Sequence, residues 1–167
     1  VTGGAGFIGS ALCRYLFKNE NYNLIILDKL TYASNLKSLH SILENERVTF
    51  IKGSIGNGEL TQYIFSKYLP DFIFNLAAES HVDNSIKNPK LFLETNVLET
   101  FNFLNQTHTY YKTLVNKKKS SFKFLHISTD EVFGDIDKNQ EPVNEKAPYK
   151  PSSPYSASKA SSDHLVN

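Results

Sequence analysis

Short apolar runs alternate with longer periodic ones along this chain. Leu24-Ile25-Ile26-Leu27, Val48-Thr49-Phe50-Ile51, Phe72-Ile73-Phe74-Asn75-Leu76 and the stretch from Phe122 to Ile127 each read as a buried strand, with Val1-Thr2 as the tail of another. Runs apolar on both faces suit a parallel sheet covered by helices on both sides. Between them, Ile8, Leu12, Tyr15 and Leu16 recur at helical spacing, as do Leu60, Ile64 and Tyr68, with Tyr63 and Lys67 on neighbouring positions. Pro89 suits a first helical turn and opens a segment running to about Tyr111, with Leu93, Val97, Phe101 and Leu104 on one stripe. Strand, helix, strand, helix is the grammar of a doubly wound α/β domain, Rossmann-like, expected over residues 1–167. The polar, basic stretch Asn116 to Ser121 reads as a solvated loop before the last strand.

Composition narrows the picture without overturning it. A chain of 167 residues, 40% apolar and 21% charged, can bury a real core as one soluble domain. A net charge of +1 supplies no field for nucleic acid, and no apolar stretch reaches membrane-spanning length, so neither is expected as a partner. The single cysteine, Cys13, excludes an internal disulfide and is compatible with a reducing, cytoplasmic setting. It reads as a small buried residue on a helix, and no metal is expected. The chain has no methionine and opens just before a glycine cluster that normally follows a strand. It is therefore expected to be a fragment, cut inside its first strand and again after a helix.

Three stretches carry candidate chemistry. "TGGAGFIGS" holds Gly3, Gly4, Gly6 and Gly9, and fits Gly-x-Gly-x-x-Gly from Gly4 or Gly-x-x-Gly-x-x-Gly from Gly3. An early glycine allows the tight turn leaving the strand. Gly6 lets the backbone approach a pyrophosphate, and Gly9 lets the helix pack close to the sheet. The helix N-terminus then offers unpaired N–H groups to phosphates. Alone such a pattern also fits a mere glycine-rich turn. Asp28 strengthens it, ending the next strand roughly 20 residues past the last glycine, where a ribose-binding acid is expected. A carboxylate there favours NAD over NADP, since it would repel a 2′-phosphate; a cap or turn role is the alternative.

In "PSSPYSASKASSDHL", Ser153 can cap a helix and Pro154 suits its first position. Tyr155 and Lys159 then share one helix face. A tyrosine is a poor base at neutral pH, and a fixed ammonium nearby is expected to stabilise its phenolate and lower its pKa. The same lysine can bond a nicotinamide ribose. A bare Tyr-x-x-x-Lys is common and fits an exposed helix pair equally well. Behind a glycine loop and an acid in the right order it gains weight. In "HISTDEVFGD", Asp130 and Glu131 sit side by side at the end of a buried strand, where a core has no use for them. Either acid taken singly could cap a turn.

Taken together, "VTGGAGFIGS", "LDKLTYASNLKSL", "NLAAESHVDNSI", "ETNVLET", "HISTDEVFGD" and "PSSPYSASKA" make the chain resemble the extended short-chain dehydrogenase/reductase family, and within it the dTDP-glucose 4,6-dehydratases. Sister epimerases usually carry a Ser-Ser or Ser-Ala pair where this chain has Thr129-Asp130-Glu131. The resemblance implies a hydro-lyase that uses NAD and a nucleotide sugar, dTDP-glucose, as substrate. Tyr155, bonded by Thr129, would take the 4-hydroxyl proton as hydride leaves carbon 4. Glu131 would remove the carbon-5 proton acidified by the 4-ketone, and a protonated Asp130 would donate to the departing 6-hydroxyl. Hydride would then return to carbon 6. Mutual repulsion of the adjacent carboxyls can separate their pKa values for these two roles.

Further positions carry over from the resemblance. Gly3, Gly6, Phe7, Ile8 and Gly9 would hold the pyrophosphate, and Asp28, Lys29, Leu30, Thr31, Ala33 and Ser34 would surround the adenosine ribose. Ser54 and Ile55 would stand at the adenine; Leu76, Ala77, Ala78, Ser80 and Thr95 would line the nicotinamide side with Tyr155 and Lys159. Ser80 is also a substrate contact, beside Thr129, Asp130, Glu131 and Tyr155. For His81 a loop-ordering role weighs as much as a substrate contact, and His126 reads as a packed core residue. The family pairs the long helix and the Tyr155 helix with their counterparts in a second subunit, so a homodimer is implied. Departures are Ser54 where the family usually has Asp, Ser34 where it has Gly, and Phe133 where it has Tyr. The family's C-terminal nucleotide-sugar-binding domain is expected to be missing from this chain, so the piece alone should turn over no substrate. A UDP-sugar dehydratase, a 4-epimerase and a non-catalytic NAD-binding module are the competing readings.

Overall fold

A computed structural model describes residues 1–136 and 141–167. Four parallel strands, β1 (Leu24–Asp28), β2 (Val48–Lys52), β3 (Phe72–Asn75) and β4 (Lys123–His126), form two hydrogen-bonded pairs, β1 with β2 and β3 with β4. Thr2 bridges the pairs, lying parallel to Leu27 on one side and Asn75 on the other. Its N–H donates to Phe74 O at 2.9 Å, and the Leu27 N–H donates to Val1 O at 2.9 Å. Val1-Thr2 thus occupies the central lane of one sheet ordered β2, β1, Val1-Thr2, β3, β4. A buried polar seam runs across it: Thr2 Oγ1 donates to Asn75 Oδ1 at 2.6 Å, and Asn75 Nδ2 meets His126 Nδ1 at 3.0 Å. His126, expected in the core, is half-buried and belongs to this seam.

The helices are α1 (Phe7–Phe17), α2 (His40–Leu43), α3 (Gly58–Tyr68), α4 (Val82–Lys87), α5 (Pro89–Phe92), α6 (Thr100–Thr113), α7 (Asn116–Ser121) and α8 (Pro154–Val166). Short 3₁₀ turns cover Leu36–Leu39 and Asp130–Phe133, and a π-helical stretch, Leu93–Glu99, joins α5 to α6. Around β1, β2 and β3 apolar side chains are buried on both faces, as the runs predict; β4 is not the buried strand expected, since none of its residues is buried and Leu125 is exposed at the sheet edge. Leu24, Ile26 and Val48 enter one cluster with Ala5, Cys13, Leu39 and Ile42. Leu27 and Ile73 enter the other with Ile64, Phe65, Phe103 and Tyr110, where Phe65 and Tyr110 stack with ring centres 5.0 Å apart.

The chain divides into two compact units. One comprises Val1–Ala77 and Asn102–Ile127, which hold the sheet; the other comprises Ala78–Phe101 and Ser128–Asn167. Three local expectations are corrected. Asn116 to Ser121 is not a loop but the exposed helix α7; lysine and serine tolerate a helix, and Lys118 ties it down by donating to Leu69 O at 2.6 Å. In α1 the buried residues are Gly9, Ser10 and Cys13, while Ile8 and Tyr15 are exposed. Small residues bring this helix against the sheet. In the long helical segment Leu93 and Phe101 are exposed, and the buried positions are Phe92, Thr95, Asn96, Thr100 and Phe103. The buried face keeps the helical period but lies beside the apolar stripe, because small polar residues, Thr95, Asn96 and Thr100, are the ones that face inward.

Cys13 is fully buried, as expected, and burial pushes its thiol up to about 11. Glycine alone is tolerated at one position before α1 and at one in its first turn. Gly3 has φ of +63°, and a Cβ there would stand 2.7 Å from the Leu76 carbonyl. A Cβ on Gly9 would stand 2.1 Å from Gly3 O. Gly9→Ala is therefore expected to open the turn at a cost of about 1–3 kcal/mol, read as a lowered midpoint of thermal unfolding.

Candidate functional site

The first unit carries the glycine turn and the acid after β1. Gly6 precedes α1 and no side chain caps the helix, so its first N–H groups are left for another acceptor. Phe7 is 92% exposed beside them. Asp28 is buried and its carboxylate is heavily used. Oδ2 accepts from the Ala5 N–H at 2.9 Å; Oδ1 accepts from the Leu30 N–H and the Ser34 hydroxyl, each at 2.8 Å. These bonds use three of the carboxylate's four lone-pair directions and leave one on Oδ2. The turn role weighed as the alternative is thus present. Leu30 holds φ of +59°, a left-handed conformation that the bond to Asp28 supports. Ser54 accepts from the Gly56 N–H at 2.9 Å, and Ile55 is buried. Lys29, Thr31, Ala33, Leu76 and Ala77 lie in this unit too.

The second unit collects the proposed chemistry. Ser153 and Ser156 form a reciprocal capping box with Pro154 at the start of α8, which fixes the helix entry next to Tyr155. Tyr155 and Lys159 are both buried, at 8% and 3% exposed, and the Phe92 ring stands edge-on to Tyr155 at 6.3 Å. Thr129 caps the short Asp130–Phe133 helix by accepting from the Glu131 N–H at 3.3 Å. Its hydroxyl also bonds the Tyr155 phenol. The structure therefore brings Thr129, Asp130, Glu131, Tyr155 and Lys159 together. Ala78, Ser80 and Thr95 belong to the same unit; Ser80 is exposed and Thr95 buried. His81 is exposed and precedes α4, its carbonyl accepting from Ser85 N.

Electrostatics revise one expectation. A lysine one turn away is expected to draw the phenol down, yet Tyr155 lies above its ordinary value. Burial is the main cause, and the Glu131, Asp130 and Asp163 carboxylates add to it; the Thr129 bond opposes them. Lys159 is itself drawn down to about 8 by burial, against the pull of Asp163. Glu131 lies above the usual carboxylate range, first through partial burial and then through Asp130 and Asp135. A raised carboxylate is the stronger base.

Asn96 was not foreseen. It sits on the π stretch, 1% exposed, and its carboxamide accepts from Glu79 N at 2.8 Å and donates to Glu79 O at 2.9 Å. Its second N–H donates to Ser158 Oγ at 2.9 Å, and Ser158 donates to Tyr155 O at 2.7 Å. One side chain thus secures the segment after β3 to the Tyr155 helix. A poor helix former in the middle of a long helical pattern was its sequence signal.

The glycine turn before α1 and the Tyr-x-x-x-Lys helix α8 stand where the resemblance to the extended short-chain dehydrogenase/reductases implies them. The chain belongs to the GDP-mannose 4,6 dehydratase family, whose sequence profile matches residues 1–167. It is 48% identical over 166 residues to a dTDP-glucose 4,6-dehydratase of Neisseria meningitidis serogroup B, covering 99% of this chain and 47% of the relative. It is 49% identical over 166 residues to a dTDP-glucose 4,6-dehydratase of Haemophilus influenzae, covering 99% and 49%. Among solved structures it matches a dTDP-glucose 4,6-dehydratase from Streptomyces venezuelae, crystallised with NAD bound, at a TM-score of 0.85 and 38% identity, over 99% of this chain and 49% of that one. The chain spans about half the length of the curated relatives it matches.

Proposed function

We propose that the protein carrying this chain is an NAD-dependent dTDP-glucose 4,6-dehydratase. The observation that carries the reading is the Thr129-Asp130-Glu131 turn bonded through Thr129 to Tyr155, in a chain whose relatives bear that activity. An uncapped helix start behind glycines that a Cβ would overfill, with an acid keeping one acceptor direction, fits the pyrophosphate and adenosine ribose of NAD. Bound NAD would accept hydride from the sugar's carbon 4 and return it to carbon 6.

The chain's own residues supply the proton transfers. Tyr155 takes the 4-hydroxyl proton, with Thr129 steadying the phenolate and Lys159 as the neighbouring cation. The 4-ketone then acidifies carbon 5, and Glu131 removes that proton. Asp130 protonates the departing 6-hydroxyl as water leaves. A second half like that of the relatives would recognise the nucleotide. Exposed Leu93, Leu98 and Phe101 on the long helical segment, with Leu165 on α8, support a homodimer built on these helices.

Incubating the whole protein with dTDP-glucose and with UDP- and GDP-sugars, and reading the alkaline absorbance of a 4-keto product, tests the reading. Conversion of dTDP-glucose is expected. A product that keeps its 6-hydroxyl would make it an epimerase, and no product with any sugar would sink the proposal. Ser34 offers a narrower check. Its hydroxyl occupies an Asp28 oxygen that the family's usual glycine would leave open. Ser34→Gly is expected to tighten NAD binding about fivefold, the worth of roughly 1 kcal/mol for one hydrogen bond, measured by calorimetry.

A further inference from the structure

Asp163 is a buried carboxylate to which the proposed chemistry gives no task. It lies one helical turn beyond Lys159, as Lys159 lies one turn beyond Tyr155, so the three share a face of α8. Its partners come from two other stretches. The Ser128 hydroxyl, just before the Thr129 cap, donates to Asp163 Oδ2. The Tyr149 hydroxyl donates to the same oxygen at 3.1 Å. Tyr149 is held in turn, edge-on to Phe133 at 5.3 Å and beside the His164 ring at 5.4 Å. Gly134, with φ of +85°, lets the chain close against Lys150, whose N–H donates to Val132 O at 2.9 Å. The Asp130–Phe133 turn and the segment carrying Tyr149 are thereby latched together. Two hydroxyl donors on one oxygen fix the rotamer of the carboxylate as well as its hydrogen bonding.

Asp130 and Glu131 from the short helix act on Tyr155, Asp135 acts on Glu131, and Tyr149 and His164 stand beside Asp163. On Lys159 the opposing influences are burial and the Asp163 carboxylate.

We propose that Asp163 is the positioning residue of Lys159: its carboxylate, set by Ser128 and Tyr149, keeps the lysine an ammonium and ties it to the segment that carries Thr129, Asp130 and Glu131. The value of that ammonium to the reaction rests on the function proposed above; the titration of the lysine does not. The sign follows from the charges. Removing the carboxylate takes away an influence that opposes burial, so Lys159 gives up its proton at lower pH.

The test is Asp163→Asn in the whole protein, with Lys159 titrated through the NMR shift of its 13Cε and assigned by its absence in Lys159→Arg. The midpoint is expected to fall by about one pH unit. In the reaction, the alkaline loss of the first hydride transfer should move down in step, with the nucleotide-sugar KM unchanged. A merely structural role would lower the rate at every pH and leave both midpoints in place. Should Asp163→Asn not fold, the double variant Ser128→Ala, Tyr149→Phe keeps the carboxylate and frees its rotamer; a smaller shift in the same direction is expected. A shifted lysine in a protein inert toward every nucleotide sugar would refute the dehydratase and uphold the role of Asp163. An active dehydratase whose Lys159 midpoint does not move would overturn that role.

Discussion

Glu131→Gln in the whole enzyme is expected to leave the first hydride transfer nearly intact and to slow elimination by about 10²- to 10⁴-fold, the usual worth of a positioned base. The amide keeps the shape of the side chain, and the backbone N–H of residue 131 still donates to Thr129 Oγ1, so the short helix should stand. What it loses is the proton acceptor, together with one of the charges that lift Tyr155. Reduced cofactor should build up on the enzyme as a stable absorbance after substrate is added, and little 4-keto-6-deoxy product should follow. Normal dehydration by Glu131→Gln would remove this residue from the chemistry.

Tyr155→Phe should give the opposite signature. The ring keeps its place against Phe92, and the substitution removes only the hydroxyl that Thr129 bonds. With no acceptor for the 4-hydroxyl proton, the first step should slow by about 10²- to 10⁴-fold, and no reduced cofactor should appear in single-turnover experiments. Nucleotide-sugar affinity should change little. The pair of variants divides the reaction at the ketone. One accumulates reduced cofactor and the other never forms it, an outcome that general loss of folding cannot produce.

What the sequence showed and what it hid follow from how local each cause is. Strand positions, the glycine turn and the Ser153–Pro154 helix start were legible because each rests on neighbours within a few residues. The buried face of α1 was not, because Gly9, Ser10 and Cys13 carry little hydrophobic signal and are chosen for close approach to the sheet. The stripe through Leu93 and Phe101 was read from its apolar side chains, whereas the buried face carries Thr95, Asn96 and Thr100, which no hydrophobic signal marks. Asn116 to Ser121 looked like a loop because nothing apolar marks it; a lysine bond to Leu69 O holds it. At the site, residue identities were readable but their electrostatics were not. The spacing of Tyr155 and Lys159 promises a lowered phenol, whereas the depth of burial, a property of the folded chain alone, sends it upward. Asn96, Ser128, Tyr149 and Asp163 were missed for a related reason, since their partners lie far off in the chain or on a helix that shows its pattern only once folded.

The π stretch also sets a rule for chain length. A single-residue deletion between Leu93 and Glu99 would let the segment relax into a regular α-helix, with every backbone bond still made. It would also turn everything after it by roughly 100° relative to everything before it. A deletion ahead of Asn96 would then turn its carboxamide away from Glu79. Substitutions outside the clamp should be absorbed there, but insertions and deletions should not. Homologous sequences that keep the Thr-Asp-Glu turn should therefore align through this stretch without a gap, even where its side chains have drifted.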